Sequence, residues 1–368
     1  MKIYRLRELD FLRGIAIILV LFRHIPLFKL TTTMGWIGVD LFFVLSGFLV
    51  SGLLFKEYLK FGNINPKLFL IRRGFKIYPI YYLFYIAYLI PILYEGSFDI
   101  KGFLADMTFT QNYVHGWGYA CAATWSLAVE EHFYFGFAFA LWLGLKFKKI
   151  KLEKGGDKKF SRNSFEVKII AILLLCLFLR LFFNQFYGSH YTKLFTTTQF
   201  RIDSLLMGVL ISYFYYFHLD YLRQVFWRNK LILLVIFILG LVWTPFIDPV
   251  PSFFVQTIGF TLLYLSFGIL LLFFLLKSTI NELLDGVFSA FAVDIVSKIG
   301  FCSYSIYIIH ILVISICESI SINYKFMTND YVFFVSSATL SVLIGMLMTY
   351  KIEDYFLSIR NKYFPGRV

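Results

Sequence analysis

Arg13 and His24 lie 11 residues apart inside the first apolar run of the chain, DFLRGIAIILVLFRH. On an α-helix that spacing returns to within roughly 20° of the same face and separates the two positions by about 16 Å along the axis. A guanidinium and an imidazole would then look into one cavity from different depths, one a cation for an anionic group and the other a base for a hydroxyl proton. Taken singly, Arg13 also reads as a snorkelling or Asp10-paired anchor, and His24 as a capped interfacial residue.

Further ionisable residues stand where an apolar chain carries them only with a partner, a water-filled cavity or a task. Asp40 opens the second apolar stretch, Glu130 and Glu131 the fourth, and Arg201 with Asp203 the sixth, while His310 falls near the middle of the ninth. Arg72, Arg73 and Lys76 occupy i, i+1 and i+4 of FLIRRGFKIYP ahead of the third, and Glu353 closes the tenth. Three cations so placed suit an anionic, phosphate-bearing ligand, with topology-setting charge as the competing explanation. A histidine, two adjacent carboxylates and an Arg/Asp pair are the ingredients of general base catalysis with a cation for an oxyanion; the competing use is a salt-bridge network between helices. Trp36, Trp117 and Trp125 read first as an interfacial belt, and Trp125, about one turn from Glu130, also suits the face of a sugar ring.

The elements that must carry these residues follow from composition. Of 368 residues, 59% are hydrophobic and 15% charged, against about a quarter charged in soluble domains. Mean hydropathy is +0.74. The apolar runs continue almost end to end, so one all-α integral membrane domain at 1–357 is expected, with 358–368 as a short cytoplasmic tail. A 30 Å hydrocarbon core needs about 20 apolar residues per span. Helices are expected at 10–28, 36–57, 75–95, 125–146, 167–187, 199–217, 230–247, 253–276, 299–320 and 331–353, about ten in all.

The net charge of +13 resides in short segments between apolar runs, not on one soluble face, and no nucleic-acid partner is expected. Lys2, Arg5 and Arg7, the 56–76 cluster, the run from Lys146 to Lys168, Arg223 to Lys230, Lys277, Lys298 and the tail fill alternate connections. The others hold little beyond Lys29, Lys101, Lys193 and Lys325, an asymmetry of roughly six to one that places both termini in the cytoplasm. This orientation sorts the ionisable residues into two layers. His24, Asp40, Glu130, Glu131, Arg201 and Asp203 fall on the outer side; Arg13, Arg72, Arg73, Lys76 and Glu353 fall on the inner. A phosphate-bearing donor below and a proton-accepting site above point to group transfer through the membrane. Four cysteines without CxxC spacing support neither a disulfide framework nor a zinc site, and no metal is expected. No cleavable signal peptide is expected in the first run.

Six ordered blocks resemble the acyltransferase 3 family of membrane acyltransferases. They are LRELDFLRGIAIILVLFRH with its Arg-x10-His spacing, GVDLFFVLSGFLVSGLL at 38–54, RRGFKIYP at 72–79, TWSLAVEEHFYF at 124–135, RIDSLLMGVL at 201–210, and YSIYIIHI at 304–311 with Tyr304 and His310. The resemblance implies acyl transfer, commonly from acetyl-CoA in the cytoplasm, to a sugar hydroxyl of a cell-envelope glycan, in the cytoplasmic (inner) membrane of a bacterium. It makes His24 the catalytic base or transient acyl carrier and puts Arg13 in the donor channel. Arg73 and Lys76, with Arg72 beside them, would contact the coenzyme A phosphates, and Glu130 and Glu131 would orient or deprotonate. Asp40, Trp125, Arg201, Asp203, Tyr304, His310 and Glu353 would face the acceptor or support the site. Two departures stand out: Lys76 replaces the usual second Arg and loses its bidentate fork, and KIEDYF lacks the Pro that often follows Glu353. The chain ends about 15 residues after its last expected helix, without the extracytoplasmic hydrolase-like domain fused in some members, so a separate extracytoplasmic partner protein is one expectation. A proton-coupled secondary transporter or flippase is the alternative function, since the same charges would relay protons. A structural or sensory scaffold ranks third.

Overall fold

Apolar runs of this length can satisfy their backbone polar groups only within helices once water is excluded, and the computed structural model shows helices at each expected stretch. It describes residues 6–152, 164–188, 192–324 and 329–368. Lys2, Arg5, most of the basic linker between 146 and 166, and Lys325 lie outside the described residues. The principal helices are α1 (Arg7–His24), α2 (Ile37–Phe61), α3 (Pro66–Tyr94), α4 (Trp125–Lys146), α5 (Phe165–Tyr187), α6 (Thr198–Phe217), α7 (Lys230–Leu241), α8 (Phe260–Leu276), α9 (Ser303–Tyr324) and α10 (Asp330–Met348). No strand occurs among the described residues.

Among the described residues, five helical stretches are long and apolar enough to cross a membrane: Ile37–Phe61, Pro66–Tyr94, Val255–Leu276, Ser303–Ile322 and Asp330–Tyr363. A sixth is the bent pair Lys193–Phe217 and Leu219–Arg228, angled by 115°. α1 and α4 fall outside that set, and they carry Arg13, Glu130 and Glu131. α7, with 12 residues, reaches about 18 Å, short of a full hydrocarbon core.

α2 and α6 pack against each other along much of their length at the centre. Glycines permit the approach: a Cβ on Gly47 would meet the Leu205 carbonyl, and one on Gly208 the Val44 carbonyl. Gly208→Val is therefore expected to overpack this seam by about 1–3 kcal/mol, read as a lower temperature of half-loss of monodisperse protein in detergent. α1 packs in the same way on the Ala290–Phe301 helix, where Gly14 meets Val296 and Gly300 meets Asp10.

Local signals set the mouth that precedes α3. Gly62 ends α2 with φ of 69°, and the Asn65 side chain accepts the Leu68 N–H at 3.0 Å. Pro66 then takes the first turn, where no N–H is needed. At the other end of the chain, Thr349–Glu353 forms a turn of π-helix before the final Asp354–Tyr363 helix. Such bulges re-aim one side chain relative to the α-helical pattern, and here the side chain at its end is Glu353.

Candidate active site

One cluster of ionisable residues lies where α1, α2, α3, α4 and α9 meet, at the end expected to face the cytoplasm. Arg13, Ser46, Arg73, Lys76, Glu130 and Tyr304 line a narrow cleft of about 70 Å³. Arg13 donates to Ser303 Oγ at 3.1 and 3.3 Å through two nitrogens. Arg73 donates to Tyr134 Oη at 3.1 Å and lies 4.7 Å from the centre of that ring, and Tyr134 Oη in turn donates to Glu130 at 2.9 Å. Lys76 Nζ stands 3.4 Å from Glu353, the residue at the end of the π turn. Three cations against two carboxylates leave the cleft with an excess of positive charge.

A second, larger cavity of about 300 Å³, called here the outer cavity after the expected orientation, has His24, Arg23, Trp36, Trp117 and Trp125 in its walls. The indoles are braced by Phe195, whose ring centre lies 6.1, 5.6 and 5.4 Å from those of Trp36, Trp117 and Trp125. Arg23 stays half-exposed and pairs with Asp248 at 3.8 Å. A third space of about 60 Å³ adjoins both, lined by Arg13, Ser46, Ser126, Glu130, Tyr304 and Tyr307 among others. Val39 and Tyr307 border both the outer and the joining space, while Arg13, Ser46, Glu130 and Tyr304 border both the joining space and the inner cleft. Arg13 and His24 thus line different members of a row of adjoining spaces.

Several expectations are corrected by this geometry. Glu130 belongs with Arg13 and Arg73 and not with His24, because it stands five residues, or about 7.5 Å, beyond Trp125 along α4. Glu131 turns away from its neighbour and accepts from Tyr78 Oη at 2.8 Å, its other oxygen buried without a hydrogen-bond partner. Arg72 borders none of the three spaces; it donates to the Phe364 carbonyl and lies 3.5 Å from Asn361 Oδ1, in the C-terminal segment. Arg201 and Asp203 are not each other's partner. Arg201 binds both oxygens of Asp40 at 2.8 Å, while Asp203 pairs with Arg180 at 2.5 Å. All four side chains are completely buried, and Ser204 Oγ donates to Asp40 at 3.1 Å. The Arg201 guanidinium lies 3.8 Å from the Phe260 ring centre and 5.3 Å from that of Trp125, so this network backs the outer cavity from behind.

Tyr304 donates to the Ile77 carbonyl at 2.7 Å, tying α9 to α3 beside Lys76. His310 is fully buried, and its ring centre lies 5.0 Å from that of His24. Sequence reasoning passed over Arg180, whose signal was a lone Arg within the apolar run LCLFLRLFF. It also passed over Ser126 and Tyr307, whose hydroxyls meet at 2.7 Å beside the joining space; neither is charged, and their one signal was a place inside the blocks at 124–135 and 304–311.

A bundle of apolar helices around a path with cations at one end and a histidine among tryptophans at the other defines a membrane protein built to handle a polar group at depth. The chain belongs to the acyltransferase 3 family, whose model, described as an acyltransferase domain, matches residues 6–350. A provisionally named O-acetyltransferase of Staphylococcus aureus (strain MRSA252) is 28% identical over 407 residues, covering 97% of this chain and 59% of the relative. The chain therefore spans 59% of the length of that relative. The peptidoglycan O-acetyltransferase OatA of Listeria monocytogenes is 30% identical over 142 residues, covering 34% of this chain and 22% of its own length. O-acetyltransferase OatA of Staphylococcus aureus (strain NCTC 8325 / PS 47) is 24% identical over 220 residues, covering 56% and 34% respectively. No solved structure matches.

Proposed function

We propose that the chain is an integral-membrane O-acyltransferase that moves an acetyl group from acetyl-CoA to a sugar hydroxyl of an envelope glycan. In this reading ten helices cross the bacterial inner membrane with both termini in the cytoplasm, and the 358–368 segment lies at the cytoplasmic face. The observation that carries it is the row of adjoining spaces, sharing wall residues, from the Arg73/Lys76 cleft to the His24 cavity. The coenzyme A phosphates take the cationic end, where Arg73 and Lys76 supply charge and Arg13 lies one step further in. The slender thioester arm enters the joining space, and the acceptor sugar stacks against the indoles of the outer cavity. His24 removes the proton of the attacking hydroxyl, or carries the acyl group itself. The names of the relatives support an acetyl group, and that of the Listeria protein supports a peptidoglycan-type acceptor. The chain works with the bilayer as solvent and, in one arrangement, with an extracytoplasmic partner protein.

Two expected outcomes test the donor end. Arg73→Ala removes a cation from the inner cleft, and KM for acetyl-CoA should rise about tenfold, equivalent to loss of one charge-assisted contact. Coenzyme A thiol release from purified membranes reads it. Glu130→Gln is expected to reduce that release more than Glu131→Gln does, because only Glu130 borders the path. Labelled acetyl-CoA also separates the enzyme from a proton-coupled transporter, which would release no thiol.

A further inference from the structure

We infer that His310 is the positioning partner of His24, holding its imidazole in the tautomer and orientation that an acyl-transfer base needs. The inference rests on His24 acting as the base, as proposed above.

Three features of the structure converge on it. First, the protonation pattern of His310 follows from its anchor. Nδ1 lies 2.7 Å from the Tyr307 carbonyl oxygen, which can only accept, so Nδ1 carries the proton and Nε2 carries the lone pair. Tyr307 is itself held, its hydroxyl donating to the Ala123 carbonyl at 2.9 Å and meeting Ser126 Oγ at 2.7 Å. Second, Nε2 is buried without a hydrogen-bond partner on a side chain with no solvent exposure. A buried acceptor left unsatisfied is costly, and such a group calls for a partner in the working state. Third, the ring centres of His24 and His310 are 5.0 Å apart at 63°. That separation brings the nitrogens of two imidazoles within reach through a small change of side-chain torsion. His24 lines the outer cavity and His310 does not, so of the two rings it is His24 that an acceptor in that cavity can reach.

The chemistry is that of a base oriented by a third group. The His24 N–H donates to His310 Nε2, which leaves the other His24 nitrogen unprotonated and facing the cavity. That nitrogen takes the proton of the sugar hydroxyl as the hydroxyl oxygen bonds to the acyl carbon. The carbon–sulfur bond of the thioester breaks, and the departing thiolate recovers the proton from His24. His310 gains and loses no proton overall. A carboxylate is the usual orienting group, but it would bring a further charge to membrane depth, whereas an imidazole orients while remaining neutral.

Membranes carrying His310→Leu, His310→Gln, His310→Ala and His24→Ala test this by acetyl-CoA-dependent thiol release and ester formation on their own glycans. Expected for His310→Leu is a loss in kcat of about 10²-fold, the lower range for a general-base contribution, with KM for acetyl-CoA unchanged because the donor cleft lies at the far end. His310→Gln keeps an acceptor oxygen near the position of Nε2 and should retain at least tenfold more activity than His310→Leu. Added imidazole should restore part of the activity of His310→Ala. A purely structural histidine would show neither the Gln advantage nor the rescue. If His310→Leu keeps kcat within about threefold of wild type while His24→Ala is inactive, the inference falls and the function stands. If His310→Leu does not assemble, a His310→Gln variant that folds as wild type yet is inactive, together with no imidazole rescue of folded His310→Ala, overturns it. Full activity of His24→Ala would instead overturn the underlying function.

Discussion

His24→Ala is expected to lower glycan acylation by about 10²–10⁴-fold, the range that a positioned general base supplies, while the protein inserts and accumulates as wild type. The side chain is exposed to the outer cavity and fills no packed core, so its removal leaves no void of the kind that destabilises an interior. The loss should fall on kcat and leave KM for acetyl-CoA unaltered, because Arg73 and Lys76 stand in a separate space at the other end of the path. Mass spectrometry of released glycans, together with the amount of folded protein recovered in detergent, reads both halves of the prediction.

The largest effect on stability is expected at Arg201. Removing one partner of a fully buried ion pair leaves the other charge uncompensated and costs about 3–5 kcal/mol. Arg201→Met strands Asp40, whose two oxygens Arg201 binds at 2.8 Å, and strips the cation from the Phe260 face. Folded protein should then be lost at temperatures that wild type survives. The double change Arg201→Met with Asp40→Leu should recover most of the loss, since replacing both charges by apolar groups of similar size is often neutral or stabilising. A cycle of the two single variants and the double variant gives the coupling directly, by size-exclusion chromatography after graded heating. Arg180 and Asp203 form a second such pair at 2.5 Å, and Arg180→Met is expected to behave alike.

The helices were legible because hydropathy acts along a single chain. Of the residues chosen for chemistry, Arg73 with Lys76, Arg13 with Glu130, and His24 with Trp125 line three adjoining spaces. What remained hidden were the partners across helices. Arg201 stands two residues from Asp203, yet successive i and i+2 positions on a helix face different ways, so each finds its partner on another helix. Glu130 and Glu131 diverge for the same reason, one turned to the path and the other to Tyr78. Arg72 shows the limit of reading charge clusters from sequence, since it is neighbour to Arg73 yet serves the C-terminal segment. The pairing of His24 with His310 joins positions 286 residues apart, from His24 in α1 to His310 in α9, and no local pattern encodes it.

In the proposed reaction an acyl group enters at the Arg73/Lys76 end and leaves at the His24 end. Sealed inside-out vesicles from bacteria making the protein expose the cytoplasmic face and enclose their own envelope glycans. Labelled acetyl-CoA added outside should place alkali-labile label on the enclosed glycan, protected from added carbohydrate esterase until detergent is present, and His24→Ala vesicles should carry none. Equal labelling of His24→Ala vesicles, or equal labelling when the donor meets the opposite face of right-side-out vesicles, would contradict it.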